Sequence, residues 1–219
     1  MAPKPSISSP DPSRRGFLQR FAGTVTVAAA TPLSAVVVTG DLYVNHRVGL
    51  AFRKPPSWKY ENLRTFADIR NEYEYATPDA ELATELKQGP LPVVVVSQAP
   101  ILRSLASSVT LYVEENPLQP GETPAAAATD LIRGISTFVK DFRLLGQPVV
   151  NRVANREALE FLFTFLYEDR LGNRGPVRHR TLVVLNPPLL FTFNMLDIPA
   201  DRIDSQSDFD ALRDSIVLA

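Results

Sequence analysis

The chain has 219 residues, 45% hydrophobic and 21% charged, with a formal net charge of −1 at pH 7. This is room for one domain and a tail, enough apolar material for a core, and a charge balance that excludes a general nucleic-acid binder. The absence of cysteine excludes disulfides, thiolate catalysis and thiolate metal sites, and 19 prolines against 10 glycines predict stiff loops with few tight glycine turns.

Residues 1–12 are rich in Ser and Pro, have no apolar period and are expected to lack order. Ser13-Arg14-Arg15-Gly16-Phe17-Leu18 then resembles a twin-arginine export signal, with Arg14 and Arg15 as the paired charges. A weakly hydrophobic, uncharged run follows from Phe21 to Val38. Gly23, Pro32 and several hydroxyl residues keep it less apolar than an ordinary membrane span, while Ala30, Ala35 and Gly40 offer small-residue cleavage positions. Residues 1–40 therefore read as a targeting segment, with a retained anchor as the alternative. Beyond them, 19 basic side chains face 23 acidic ones, so the remaining domain, 41–219, has no general attraction to anionic surfaces.

Val48–Phe52 is a short apolar strand, broken by Lys54-Pro55-Pro56 before Trp58. Tyr73 and Tyr75 fall on one side of a loosely alternating stretch, and residues 76–92 form a loop or a short helix around Ala80–Leu86. Val93–Val96 reads as a buried strand, and Val109, Leu111 and Val113 alternate as a half-buried one. After a turn at Gly121–Pro124, the spacing of Ala128, Leu131, Ile132, Ile135 and Phe138 predicts a helix from Pro124 to about Val139. Ala158–Asp169, His179–Leu185 and Leu189–Met195 predict an antiparallel meander. Leu159, Phe161, Phe163, Phe165 and Tyr167 line one face; Leu162, Leu166, Leu182, Val184 and Leu190 are expected on the other. A last amphipathic helix starts at Ser207 and turns Phe209, Leu212, Ile216 and Val217 inward. The sum is an α+β fold: an antiparallel sheet of about six strands with helices on both faces.

Several of these stretches, in order, resemble the PsbP superfamily, the extrinsic lumenal proteins of photosystem II and their paralogues. They are Val48-Gly49-Leu50-Ala51-Phe52 with Pro55-Pro56-Ser57-Trp58, the strand Ser108–Val113, the turn Leu145-Gly146-Gln147-Pro148, the pair Arg178-His179 and the ending Asp214–Ala219. The resemblance spans roughly residues 45–219. It implies a PsbP/Mog1-like α/β/α sandwich, and a non-catalytic accessory or assembly protein on a photosystem in the thylakoid lumen. Peripheral membrane association and a monomeric state follow from it, and no nucleic-acid partner. The stretch 68–92 is longer than the family pattern. The few residues between the address and Val48 replace the long arm of the photosystem-bound member, which argues against a direct role in retaining manganese-cluster ions.

The resemblance also implies a divalent-cation site, calcium, zinc or manganese, at His179 with Asp201. Two ligands are fewer than the four of structural zinc, so an exposed histidine at a strand edge is the competing reading. It likewise implies docking to acidic surfaces through basic side chains, here Arg53, Lys54, Lys59 and Arg64, with Arg70 nearby. Asp197, Asp201, Asp204, Asp208 and Asp210 form an acidic run that suits a helix start facing water better than calcium. His46 reads as solvated and Trp58 as core. No nucleophile elbow, phosphate loop or His-Glu-x-x-His motif is present, so no enzyme is expected. The alternative is an exported small-ligand-binding protein or small enzyme in a bacterial periplasm, using the same sandwich as a cup.

Overall fold

Alternation over thirteen residues is a strong enough signal to fix a strand, and the meander forms where the pattern places it. A computed structural model describes residues 35–219 except 74, 77–79, 100–105, 117, 119–121, 169–171, 173 and 199–204. In chain order the described elements are β1 (Val36–Thr39), β2 (Leu42–Asn45), β3 (Leu50–Arg53), β4 (Lys59–Tyr60), α1 (Leu63–Glu72), α2 (Ala80–Gln88), β5 (Val94–Ser97), β6 (Ser108–Glu115), α3 (Pro124–Ser136), β7 (Lys140–Leu144), β8 (Val149–Val153), β9 (Arg156–Glu168), β10 (Arg174–Asn186), β11 (Leu189–Asp197), α4 (Gln206–Asp214) and β12 (Val217–Leu218). Arg14 and Arg15 lie outside the described residues; Val36–Val38, at the end of the apolar run, form the exposed edge strand β1.

The large sheet is antiparallel, in the order β4-β5-β6-β11-β10-β9-β7, with β8 also on β9. Strand β9 is long enough to serve two partners. Residues 156–160 pair with β8 through a two-residue turn at Ala154-Asn155, both at positive φ, and residues 163–166 pair with β7. A second antiparallel sheet has the order β1-β2-β3-β12.

Here the structure corrects the expected architecture. There are more strands than the six predicted, and although helices lie on both faces of the large sheet, a second small sheet shares the cover of one of them. Leu159, Phe161, Phe163, Phe165 and Tyr167 are all buried on the face covered by helices alone, packed with Val177, Val183, Ala128 of α3 and Tyr73 just after α1. The opposite face carries Leu182, Val184, Phe191, Phe193 and Met195, and meets the small sheet through Tyr43, Leu50 and Phe52 and helix α4 through Phe209 and Leu212. Phe52 stands edge-on to Phe193 at 6.0 Å between ring centres. Of the small sheet only β3 is read from the sequence, as the apolar strand Val48–Phe52; β1, β2 and β12 escape because each is only two to four residues long, too short for a period to show.

Leu190 is also corrected. It pairs with Leu185 and Glu114, which puts it on the aromatic face, and Phe191, Phe193 and Met195 take the other side. Because side chains alternate strictly, one residue of register decides the face.

The last helix begins two residues earlier than expected. Ser205 occupies its N-cap, without a side-chain cap bond, and Ser207 lies inside the helix. Phe209, Leu212 and Ile216 point inward, while Val217 is 62% exposed on β12. Polar contacts fix the helix to the sheet. Arg180, 6% exposed, bonds Glu160 at 2.5 Å and Asp210 at 2.8 Å, and Arg213 reaches Asp210 at 3.1 Å. Trp58 is buried edge-on to Phe209 at 5.8 Å, and its Nε1 donates to Asp208 at 3.0 Å.

Candidate functional site

The basic residues of the expected docking patch come from one turn of chain, where β3 ends and β4 leads into α1. Asn62 caps that helix by accepting from the Arg64 backbone N–H at 2.8 Å, which holds Arg64 in the first exposed turn. Arg53, Lys59 and Arg64 are exposed; Lys59 sits on the short edge strand of the large sheet. Lys54 does not belong with them. It is 7% exposed, its ammonium lies 2.5 Å from Asp41 and over the Tyr60 ring at 5.6 Å, and its charge is spent inside the fold. Arg70 is also turned away, donating to the Pro90 carbonyl at 2.8 Å. Glu61 accepts from the Ser97 hydroxyl, so an acid within the same stretch is engaged inward and three exposed cations remain.

His179 is on β10, opposite Phe163 of β9 and Leu196 of β11, on the helix-covered face. Its ring stacks on Phe163 at 4.7 Å, and its Nε2 is 3.3 Å from the Asn194 amide oxygen, which also accepts from Thr181 at 3.3 Å. Since that oxygen can only accept, Nε2 carries the proton. Burial pushes the imidazole down to about 4 against the weaker upward pull of the Asn194 bond, so it is neutral at pH 7. This is a packed, hydrogen-bonded histidine rather than an exposed one at an edge. Asp201, its expected co-ligand, lies outside the described residues.

The acidic run is divided among separate partners. Asp197, fully buried, is bound by Arg178 through Nε at 3.1 Å and through Nη2, and accepts from Ser107 at 3.2 Å. Asp208 serves Trp58, and Asp210 serves Arg180 and Arg213. Among the described residues no group of three or more His, Asp or Glu side chains is placed to hold a metal ion, and His179 with its Nε2 committed to Asn194 does not fit a metal-ligand role through that atom. His46 is exposed. Among the described residues no helix is long and apolar enough to cross a membrane.

A second polar group lies on the helix-covered face. Tyr73 and Tyr75 stand edge-on with ring centres 4.7 Å apart, and Tyr73 also meets Tyr167 at 5.2 Å. Burial raises the phenols of Tyr73, Tyr75 and Tyr112, Tyr75 to about 12, and pushes the Glu114 carboxyl up to about 7. Arg70 is close enough to lower Tyr75 and Tyr112 again in part. The sequence shows Tyr73 and Tyr75 on one side of an alternating stretch, but nothing in it brings them to β6, forty residues on.

No family model matches the chain, and no curated protein matches it in sequence. Among solved structures it is similar to cyanobacterial PsbP from Synechocystis, with a TM-score of 0.51 and 15% identity over 88% of this chain and 99% of that one. It also aligns with LpqN, involved in cell envelope biogenesis of Mycobacterium tuberculosis, at TM-score 0.45 and 9% identity over 78% and 83% of the two chains. A Pseudomonas aeruginosa protein of unknown function gives 0.41 and 13% over 53% and 76%. The last two scores are too low to bear on the assignment. At 15% identity the likeness to the Synechocystis protein speaks for architecture, and it establishes that this chain has a PsbP-like fold.

Proposed function

We propose that the protein is a non-catalytic accessory or assembly module that docks as a monomer on the aqueous side of a membrane protein complex. In a photosynthetic host the complex is a photosystem and the compartment the thylakoid lumen; in another bacterium the same module works in the periplasm. The observation that carries this reading is the PsbP-like fold spanning 99% of the Synechocystis PsbP chain. The ordered sequence motifs and the twin-arginine segment support it.

The docking element is the edge formed by Arg53, Lys59 and Arg64. Exposed charges of this kind steer encounter with an acidic partner and set its salt dependence more than they add affinity. The test is an affinity pull-down of the tagged full chain from detergent-solubilised membranes of the source organism. Membrane-complex subunits should be recovered with the wild-type chain and lost with Arg53→Glu, Lys59→Glu and Arg64→Glu combined. Equal recovery with both chains would remove this edge as the docking surface, and no membrane subunit with either would refute the reading.

A further inference from the structure

The edge of the large sheet farthest from β4 carries a surface that neither the core nor the docking cations use. Strands β7 and β8 lie in line along one side of β9, with Leu144 opposite Phe163 and Val149 opposite Glu160. Between those pairs β9 has two residues, 161 and 162, while the edge has four, 145–148, so two must loop outward. Gly146 turns this loop at a φ of +83, and a Cβ there would meet no heavy atom within 4 Å, so the loop stands in the open. Leu145, Val149 and Val150 are 43%, 55% and 51% exposed along it. Sheet edges are ordinarily blunted by charge, proline or a bulge. Pro148 and the bulge do that here, but three aliphatic side chains in water do not.

The charges beside this ridge have one sign. From Phe142 to Arg156 the chain contains Arg143, Arg152 and Arg156, all exposed, and no acid. Arg152 donates to the Asn155 carbonyl at 2.6 Å, a bond to a neutral group that leaves its charge in place. The acids that face the edge are few. Glu160, across from Val149, is bound by Arg180, and Glu168 is bound by Lys140 at 2.7 Å. Half-buried Glu157 sits across from Arg152, and exposed Asp141 lies beyond Arg143 at the far end. The domain as a whole is mildly acidic, but charges more than about 10 Å away are largely screened in about 0.1 M salt, so the local sign governs.

The shape of the ridge selects among anionic partners. Val149 and Val150 are adjacent on one strand and leave it on opposite sides, which makes the apolar surface convex. A protein partner would need a cleft matched to this wedge; the boundary between lipid headgroups and acyl chains needs none. Aliphatic side chains flanked by cations are the composition of segments that lie in that boundary. We propose that the β7–β8 edge inserts Leu145, Val149 and Val150 into the surface of an anionic lipid bilayer, with Arg143, Arg152 and Arg156 on its phosphates.

The docking reading uses the opposite edge, and either can fail alone. Residues 21–38 are apolar as well, so the test reads which part of the chain enters lipid. The chain has no cysteine, which allows a polarity-sensitive dye at Val150→Cys, and at Asp68→Cys on α1 as control, each in the full chain. Protein-free vesicles of phosphatidylcholine, with or without about one-third phosphatidylglycerol, are titrated in. The Val150 label should shift to the blue with the anionic vesicles and return with added salt, while the Asp68 label stays in water. Arg143→Gln with Arg156→Gln should raise the lipid needed for half the shift by about tenfold and keep a cooperative thermal transition. Arg53→Glu, Lys59→Glu and Arg64→Glu combined should raise it less than that. A Val150 label that stays in water, an equal shift with uncharged vesicles, or an unchanged titration in the folded arginine variant each overturns the proposal. A shift with membranes of the source organism but not with protein-free vesicles assigns the edge to a protein partner and overturns it too.

Discussion

Two half-buried titratable side chains, Glu114 and His179, give the protein opposing responses to pH. The Glu114 carboxyl is raised from 4.5 to about 7 by burial. Its contribution to stability is complete below about pH 4.5 and is lost as pH rises through 7. His179 is lowered from 6.5 to about 4, so its contribution is complete above about pH 6.5 and is lost as pH falls through 4. Each shift corresponds to about 3 kcal/mol at most. Between about pH 4.5 and 6.5 the two slopes oppose, and the wild-type stability curve should be nearly flat there. Glu114→Gln should raise stability at about pH 8 by about 1–3 kcal/mol and leave a curve that falls on acidification. Urea unfolding midpoints across this range decide it; an unaltered slope in the variant would show that Glu114 is not buried as described. The Glu114 shift is not legible in the sequence, since Glu114 lies near the end of an ordinary strand. Lys54 is equally opaque, because its partner Asp41 arrives only when β2 and β3 pair. Trp58 was readable as core because an indole beside an apolar strand has few other places to go.

Elements were legible in proportion to the length of their pattern. The strands β9, β10 and β11 are nine to thirteen residues long each, with inside-outside alternation clearest in β9 and β11. Helix α3 shows both its apolar spacing and its start, where Thr123 accepts from the Ala126 N–H ahead of Pro124. Helix α1 has no fully buried residue, so its Leu63, Phe66 and Ile69 form too thin a stripe to announce a helix. Strands β7 and β8 are short, with the exposed Val149 and Val150 breaking any inside-outside rule. The chain end is held more firmly than its length suggests. Ala219 donates its backbone N–H to the Gly49 carbonyl at 2.8 Å, and β12 pairs with β3. Gly49 has φ of +64, and a Cβ there would lie 3.2 Å from the Ala219 Cβ. Gly49→Ala should therefore cost about 1–2 kcal/mol. Phe209→Ala, which empties the space between α4 and Trp58, should cost about 3–5 kcal/mol. Denaturant midpoints measure both, and a loss for Phe209→Ala no larger than for Gly49→Ala would contradict the packing role given to α4.

At the scale of the molecule, one sheet separates two environments. One face is sealed by a second small sheet and α4, with aromatic contacts and the Arg180 ion pairs holding the layers. The other face carries a helical cover over the aromatic cluster, and the cations proposed for docking lie near the β4 edge. The α+β class and antiparallel meander followed from the sequence because both faces of β9–β11 carried apolar side chains. What covered them did not, since a demand for cover is met equally by helices or by a sheet. The proposed docking is tested most directly by co-sedimenting the full chain with washed membranes of its source at increasing ionic strength. The account predicts saturable binding that falls steeply with salt and is lost when Arg53, Lys59 and Arg64 are replaced by Glu; no binding, or binding indifferent to both salt and charge reversal, would contradict it.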